Sequence, residues 1–375
     1  MASVSATLIV RDEERFLASC LSSIRDAVDE IIVVDTGSVD RTREIALAGG
    51  ARLLEFPWIG DFAAARNFAI DAARGDWILY IDADERLRTP LRLADTNALI
   101  DPHAIAATVR FRPFVRATPY REHRLFRNDP RIRFHGAIHE TIVPALRAVA
   151  KSGAGHITDA DCEIVHLGYE GDLTRKHHRN LPLLRAMVAR EPGRLYCWYD
   201  LARTLVALGN ADEAIEVARR GLDIASGRDD MEACAVGSLI AWTLAQSLRD
   251  RNEDAMPVID AALVRYPGQV FLLFLKARVL VDRGLYDEAL GILDRLLARD
   301  PATFFDPLIS YDERIFGCFA LELSAVALLR LGRRGEAARA FSRASAMEPA
   351  EMSYRAKAVA LGGAEIAAAD LRLAS

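Results

Sequence analysis

Runs of apolar, β-forming residues alternate with helix signals through the first 81 positions, and this alternation restricts the fold more than any other feature. Thr7-Leu8-Ile9-Val10, Ile31-Ile32-Val33-Val34, Ala51 to Phe56 and Trp77 to Ile81 read as strands. Between them, Phe16, Leu17, Cys20, Leu21 and Ile24 recur at helical spacing. A second helix is expected from Asp40 to Ala48, ended by Gly49-Gly50, and a third from Asp61 to Arg74. Asp12, Asp40 and Asp61 stand where helix N-caps belong. Strands that are apolar throughout must be covered on both faces, which predicts a mostly parallel sheet sandwiched by helices.

The pattern then changes twice. Residues 104–170 show no long helical period. Thr108 to Val115 alternates, and Ile138 to Val143 and Cys162 to Leu167 read as extended, so antiparallel strands and loops are expected to complete a first domain, 1–175. From 176 to 375 the chain reads as helical throughout. Trp198, Leu201, Ala202, Gly209 and Ala214 fit a tetratricopeptide helix-turn-helix, and Gly284 with Ala289 and Gly332 with Ala337, Phe341, Ala344 and Pro349 repeat it. A degenerate copy ends at Pro267, with Ala255 at the equivalent alanine. The expectation is an all-α solenoid whose concave face suits a peptide or protein.

Composition excludes several classes. The net charge of −5 speaks against a general nucleic-acid binder. Five scattered cysteines without a Cys-x-x-Cys suggest reduced thiols in a cytoplasmic protein, with no disulfide frame or structural zinc. No run of about 18 apolar residues occurs, so no membrane span is expected.

The strongest candidate for chemistry is Asp82-Ala83-Asp84, just beyond the fourth strand. Ligands of open α/β sheets sit beyond the carboxyl ends of strands. Two carboxylates there call for a positive partner, and carboxylate oxygens suit magnesium or manganese bridging a diphosphate. The alternative is a pair of solvated loop carboxylates. Asp35 ends the second strand in Val33-Val34-Asp35-Thr36-Gly37-Ser38. As an acceptor it can take the imide N–H of uracil, and Gly37 lets backbone approach a ligand.

Leu8-Ile9-Val10-Arg11-Asp12-Glu13-Glu14 followed by Asp35-Thr36-Gly37-Ser38-Val39-Asp40-Arg41-Thr42 resembles the start of family-2 glycosyltransferases, which have the α/β, Rossmann-like GT-A fold. Phe56-Pro57-Trp58, Asp61 to Asn67 and Gly75 to Glu85 extend the likeness in the same order. It continues more loosely through Arg124 to Asn128, His135 to Glu140 and His166-Leu167-Gly168-Tyr169. The arrangement as a whole looks like bacterial family-2 transferases with a tetratricopeptide C-terminus. Position 11 is Arg where the family commonly has Lys, and position 12 is Asp where Asn is common.

The resemblance implies a metal-dependent, hexosyltransferase-like enzyme that moves a sugar with inversion from a nucleoside diphosphate donor, a UDP-sugar, to a peptide, protein or saccharide acceptor. Asp35 would contact the base, Arg66 would approach the nucleotide, Asp82 would contact ribose or metal, and Asp84 would bind manganese or magnesium. His166 corresponds to a late histidine that ligates metal in some GT-A enzymes, or is a structural histidine. The family often carries its base in a Glu-Asp pair that is missing from 104–170. Glu140 is the substitute and His139 the alternative. Arg124 and Arg127 stand out among eight arginines in 110–133 as a candidate diphosphate clamp. The repeats would hold the acceptor or form a homodimer around it. Two other readings compete. One is a non-enzymatic repeat scaffold with a retired sugar-nucleotide domain, against which intact Asp35, Arg66, Asp82 and Asp84 speak. The other is a nucleotidyltransferase, which would need a Gly-rich basic loop where Arg11 to Glu14 stands.

Overall fold

The computed structural model describes residues 2–89, 92–114, 116–167 and 174–371, with side chains in the last helix to residue 362. Val115, Gly168 and Tyr169, which entered the sequence reading, lie outside the described residues. The chain divides into two compact units, Met1–Glu191 with Asp306–Ser310, and Pro192–Phe305 with Tyr311–Ser375.

The first unit runs β1 (Val4–Val10), α1 (Leu17–Ile24), β2 (Glu30–Asp35), α2 (Thr42–Ala48), β3 (Arg52–Glu55), α3 (Phe62–Ala72), β4 (Trp77–Tyr80) and β5 (Glu85–Arg88). It continues with α4 (Asn97–Ile100), β6 (Ala104–Arg112), β7 (Tyr120–Arg127), α5 (Val143–Lys151), β8 (His156–His166) and α6 (Thr174–Arg190). The strands form one sheet in the order β3-β2-β1-β4-β7-β6-β8-β5. β1 pairs in parallel with β2 and β4, and β2 with β3, as the apolar strands require. β7 then runs antiparallel to β4 and β6.

Alternation along β4 divides the core. Trp77, Leu79 and Ile81 join a cluster with Leu8, Leu17, Leu21 and Ile24 on one face. Ile78 and Tyr80 pack on the other with Ile70, Phe126, Phe134 and Leu146. Trp77, Ile78 and Leu79 are fully buried and Tyr80 is half-buried, so the strand itself offers no place for charge, which is confined to its ends.

Three elements differ from the sequence reading. Residues 138–142 form a loop closed by reciprocal His135–Thr141 backbone hydrogen bonds of 3.0 Å, and not a strand. α5 follows, its apolar stripe of Leu146 and Val149 buried, where no helix was expected. β6 pairs antiparallel with β7 but in parallel with β8, so the later strands are not uniformly antiparallel. The first unit also takes in α6, past residue 175. Arg179 of α6 lies 5.3 Å from the Phe62 ring centroid, and Glu191 beyond it meets His135 at 3.2 Å.

The second unit is helical: α7 (Leu195–Ala207), α8 (Ala211–Ser226), α9 (Met231–Asp250), α10 (Met256–Arg265), α11 (Val270–Asp282), α12 (Tyr286–Leu297), α13 (Cys318–Arg330), α14 (Arg334–Met347) and α15 (Met352–Leu371). Gly209, Gly284 and Gly332 occupy the left-handed region at φ 79°, 78° and 76°, each ending the first helix of a hairpin. The degenerate copy solves the same problem with Asn252 at φ 59°, a residue that tolerates this conformation. Ala214, Ala289 and Ala337 are the fourth residues of α8, α12 and α14, and all are buried. The fourth residue of α10 is Ile259, so Ala255, which precedes α10, is not the equivalent position. The turn there is longer and shifts the register.

Room exists around Gly284, whose added Cβ would approach no atom closer than 3.9 Å. Gly284→Ala should therefore cost only the backbone term, about 1–2 kcal/mol, while Asn252→Gly should lose no stability. Denaturant unfolding of both variants checks this, and an undiminished Gly284→Ala would contradict it.

Candidate active site

Three loops converge at the carboxyl ends of β1, β2 and β4. Asp35 closes β2 with its side chain fully buried. Its carboxylate accepts the Ser38 backbone N–H at 3.0 Å and the Arg43 Nε–H at 2.5 Å. Burial works to raise this carboxyl, but the hydrogen bonds from Ser38 and Arg43 outweigh it and hold it below the usual range. Gly37 at φ 109° makes the turn that brings the Ser38 N–H back onto Asp35.

Asp12 does not cap α1. It sits at φ 57°, where Asn and Asp are the side chains that fit. Its N–H donates to Ser38 Oγ at 2.9 Å and its Oδ1 accepts the Val39 N–H at 2.8 Å. Asp40 accepts the N–H of Glu14 at 3.0 Å and of Thr42 at 2.9 Å. These bonds stitch the loop after β1 to the loop after β2.

Asp82 is held from several sides. Its backbone N–H donates to Glu85 Oε2 at 2.8 Å, and its carbonyl accepts the Cys20 thiol at 3.3 Å. Its Oδ1 accepts Arg66 Nη2–H at 2.8 Å, while Arg66 Nε–H donates to Glu140 Oε1 at 2.5 Å. One guanidinium thus joins Asp82 and Glu140. Burial would raise the Asp82 carboxyl, but Arg66 and Arg124 outweigh it and hold it below the usual range. The loop carrying His139 and Glu140 is tied to α3, since Phe62 N–H donates to Ala137 O at 3.0 Å and Asp61 caps the helix by accepting Ala64 N–H. Arg66 lies one turn further along the same helix, which is why it reaches Glu140. His139 adjoins Glu140 at φ 51°.

Asp84 and His166 face each other, Oδ2 to Nε2, at 3.0 Å. The other ring nitrogen, Nδ1, lies 3.0 Å from the Pro113 carbonyl and donates to it, which orients the ring. Burial works against a charge on this imidazole, but the Asp84 carboxylate outweighs it and raises the pKa. Glu13, in the loop after β1, is pushed up to about 7 by burial and then by the carboxylates of Asp84, Asp82, Asp40 and Asp12. Among the described residues no three His, Cys, Asp or Glu side chains converge as a metal-holding group. The pair Asp84–His166 nonetheless fits a divalent cation, because such ions take one or two protein ligands and fill the rest with water and phosphate oxygens.

Two expectations are corrected. Arg124 makes a buried bidentate pair with Glu85, at 3.0 and 2.8 Å, and a third bond to Glu122 at 2.7 Å. With its side chain 5% exposed it does not present a diphosphate clamp. Arg127 stands opposite Trp77 in the antiparallel pair, at the amino end of β4, far along the strand from Asp82. It packs 4.6 Å from the Trp77 ring and donates to the carbonyls of Ala104 and Asp101, beside a depression lined by Asp76 and Asn128. Arg43, Glu85 and Glu13 were missed. Glu85 and Glu13 stand inside the motifs quoted above, so their position was visible and their role was not. Arg43 gave no signal.

Residues 5–150 match the profile of Glycosyl transferase family 2, and residues 179–232 match a tetratricopeptide repeat. The N-terminal domain is a family-2 glycosyltransferase domain. A TPR repeat-containing protein of Synechococcus elongatus is 39% identical over 273 residues, covering 71% of this chain and 65% of its own length. The SPbeta prophage-derived glycosyltransferase SunS of Bacillus subtilis is 25% identical over 299 residues, 74% of this chain and 67% of that protein. The chain thus spans about two thirds of the length of both relatives. Among solved structures, the glucosyl-3-phosphoglycerate synthase of Mycobacterium tuberculosis overlies 50% of this chain and 80% of its own, with a TM-score of 0.39 and 19% identity.

Within the glycosyltransferase domain, Arg66→Met should leave Asp82 and Glu140 unpaired. The expected loss of stability is about 3 kcal/mol, the lower end for breaking a buried ion pair, because the Asp82 side chain is 36% exposed and regains water. Chemical denaturation reads this directly, and a loss below about 1 kcal/mol would show the pairs to be dispensable.

Proposed function

We propose that this chain transfers a sugar with inversion from a UDP-sugar donor to a peptide or protein acceptor, with a divalent cation, manganese or magnesium. The observation that carries the reading is the Asp84–His166 contact at the carboxyl end of the sheet, with Asp82 beside it in sequence and Asp35 on β2. In this reading Asp84 and His166 hold the cation, which when bound would stabilise the leaving diphosphate. Asp82 contacts the ribose. Asp35 receives the imide N–H of uracil when the Ser38 and Arg43 groups that cover its carboxylate move aside. Arg66 fixes Asp82 and Glu140 relative to each other. Glu140 takes the acceptor's proton. Its Oε1 is engaged by Arg66, and its Oε2 has no hydrogen-bond partner among the described residues. His139 is the alternative base. The repeats govern the acceptor, by binding an extended polypeptide or by pairing two copies around it. A cytoplasmic site of action belongs to the same reading, supported by five free cysteines, four of them buried. No described helix is long and apolar enough to cross a membrane.

Thermal unfolding with nucleotides tests the donor site. UDP with manganese should raise Tm more than ADP with manganese, by mass-action linkage. Asp84→Asn should abolish transfer and remove the manganese-dependent part of that shift. Equal or greater stabilisation by ADP would defeat the assignment of Asp35, and a manganese-dependent shift that survives in Asp84→Asn would defeat that of Asp84.

The base is tested separately. Glu140→Gln should slow transfer by about 10²-fold, the scale of general base catalysis, with UDP affinity retained. Normal turnover in Glu140→Gln beside a dead His139→Asn would move the role to His139.

A further inference from the structure

Glu85 and Arg124 belong to none of the roles assigned above, yet they are among the most deeply buried charges of the domain, 2% and 5% exposed in their side chains. Surface carboxylate–guanidinium pairs add little, and buried ones are costly unless every donor and acceptor is used. Here they are used. Arg124 gives two hydrogen bonds to Glu85 and one to Glu122. Its guanidinium carbon also lies 4.5 Å from the Tyr80 ring centroid and 4.7 Å from that of Phe111. Glu85 has one further bond, and it goes to the acidic motif: Oε2 accepts the Asp82 backbone N–H at 2.8 Å.

We infer that Glu85, held by Arg124, is a positioning residue that sets the backbone of Asp82 and hence the aim of Asp82 and Asp84 at the donor. The inference rests on the donor-site reading given above. The geometry behind it is specific. β4 ends at Tyr80, so Asp82 has left the sheet and its N–H has no strand partner. Glu85 supplies the missing acceptor from β5, which is itself fixed by antiparallel pairing with β8, Glu85 opposite His166. The register that places His166 beside Asp84 therefore also places Glu85 beneath Asp82. Arg124 approaches from β7, two residues along from Phe126, which pairs with Ile78 of β4. Three strands thus converge on one amide. A pair serving stability alone would not need to share its carboxylate with the motif loop.

Two double variants of the full chain separate positioning from packing. Glu85→Leu with Arg124→Met removes the ion pair without leaving either of its members as a lone buried charge, and removes the acceptor for Asp82 N–H; both double variants free Glu122 alike. Glu85→Gln with Arg124→Met removes the ion pair but keeps an acceptor oxygen. The probe is UDP with manganese, followed by calorimetry. Positioning predicts at least a tenfold loss of affinity in the first variant and recovery to within about threefold of the parent in the second. Equal affinities in the two variants overturn it. Backbone hydrogen exchange in the unmodified protein tests the same point without a substitution. The Asp82 amide should be protected as well as the β4 amides, and exchange as fast as in an open loop overturns the inference. A parent protein that fails to bind manganese and UDP sinks the donor reading instead, and the exchange result then judges the positioning of Asp82 alone.

Discussion

Two buried guanidinium groups packed against one tyrosine ring make the acidic end of this sheet possible. Arg66 and Arg124 lie 5.0 and 4.5 Å from the centroid of Tyr80. Between them they pair with Asp82, Glu140, Glu85 and Glu122, carboxylates drawn from three separate stretches of chain. Removing that many carboxylates from water without cations would force protons onto them, since burial and like charge both raise a carboxyl's pKa. The aromatic face adds attraction for a cation that has lost water. The Asp84 carboxylate lies outside this network and faces His166 instead.

The frame is rigid where rigidity matters. Among the described residues, the non-glycine positions at positive φ are Asp12, His139 and Asn252, and the first two adjoin this site. Strained backbone persists only where surrounding bonds over-determine it. Asp12 is held by Ser38 and Val39, and the loop of His139 by the His135–Thr141 closure and by α3. A diphosphate held by a few oxygen contacts needs such pre-set geometry, because each loose loop would have to be ordered at the moment of binding.

The repeat unit obeys different physics. Each helix packs on its sequence neighbours, with α13, α14 and α15 as a continuous example around Leu321, Phe341 and Tyr354. Its rules are local, a small residue where helices touch and a left-handed residue where they turn. Failure of one rule is tolerated, as Asn252 and Ile259 show in the degenerate copy.

Local rules are what an amino-acid sequence states openly. The parallel strands, the cap at Asp61, the carboxylates Asp35 and Asp82 at strand ends and the glycine turns of the repeats all follow from spacing within about ten residues, and the structure contains them. Asp40, read as a cap, stands one residue before the N-cap of α2, which is Arg41. The short strand β5, the helix α5 and the loop at 135–141 were not legible, because the latter part of the sheet is set by long-range pairing. The partners of the charges were hidden for the same reason. Arg66 and Glu140 are 74 positions apart, Glu85 and Arg124 39, and Asp84 and His166 82. A sequence shows that a carboxylate will lie at the end of a strand. Which cation meets it is decided by strand order and register, since only the folded sheet brings those positions within the reach of a hydrogen bond.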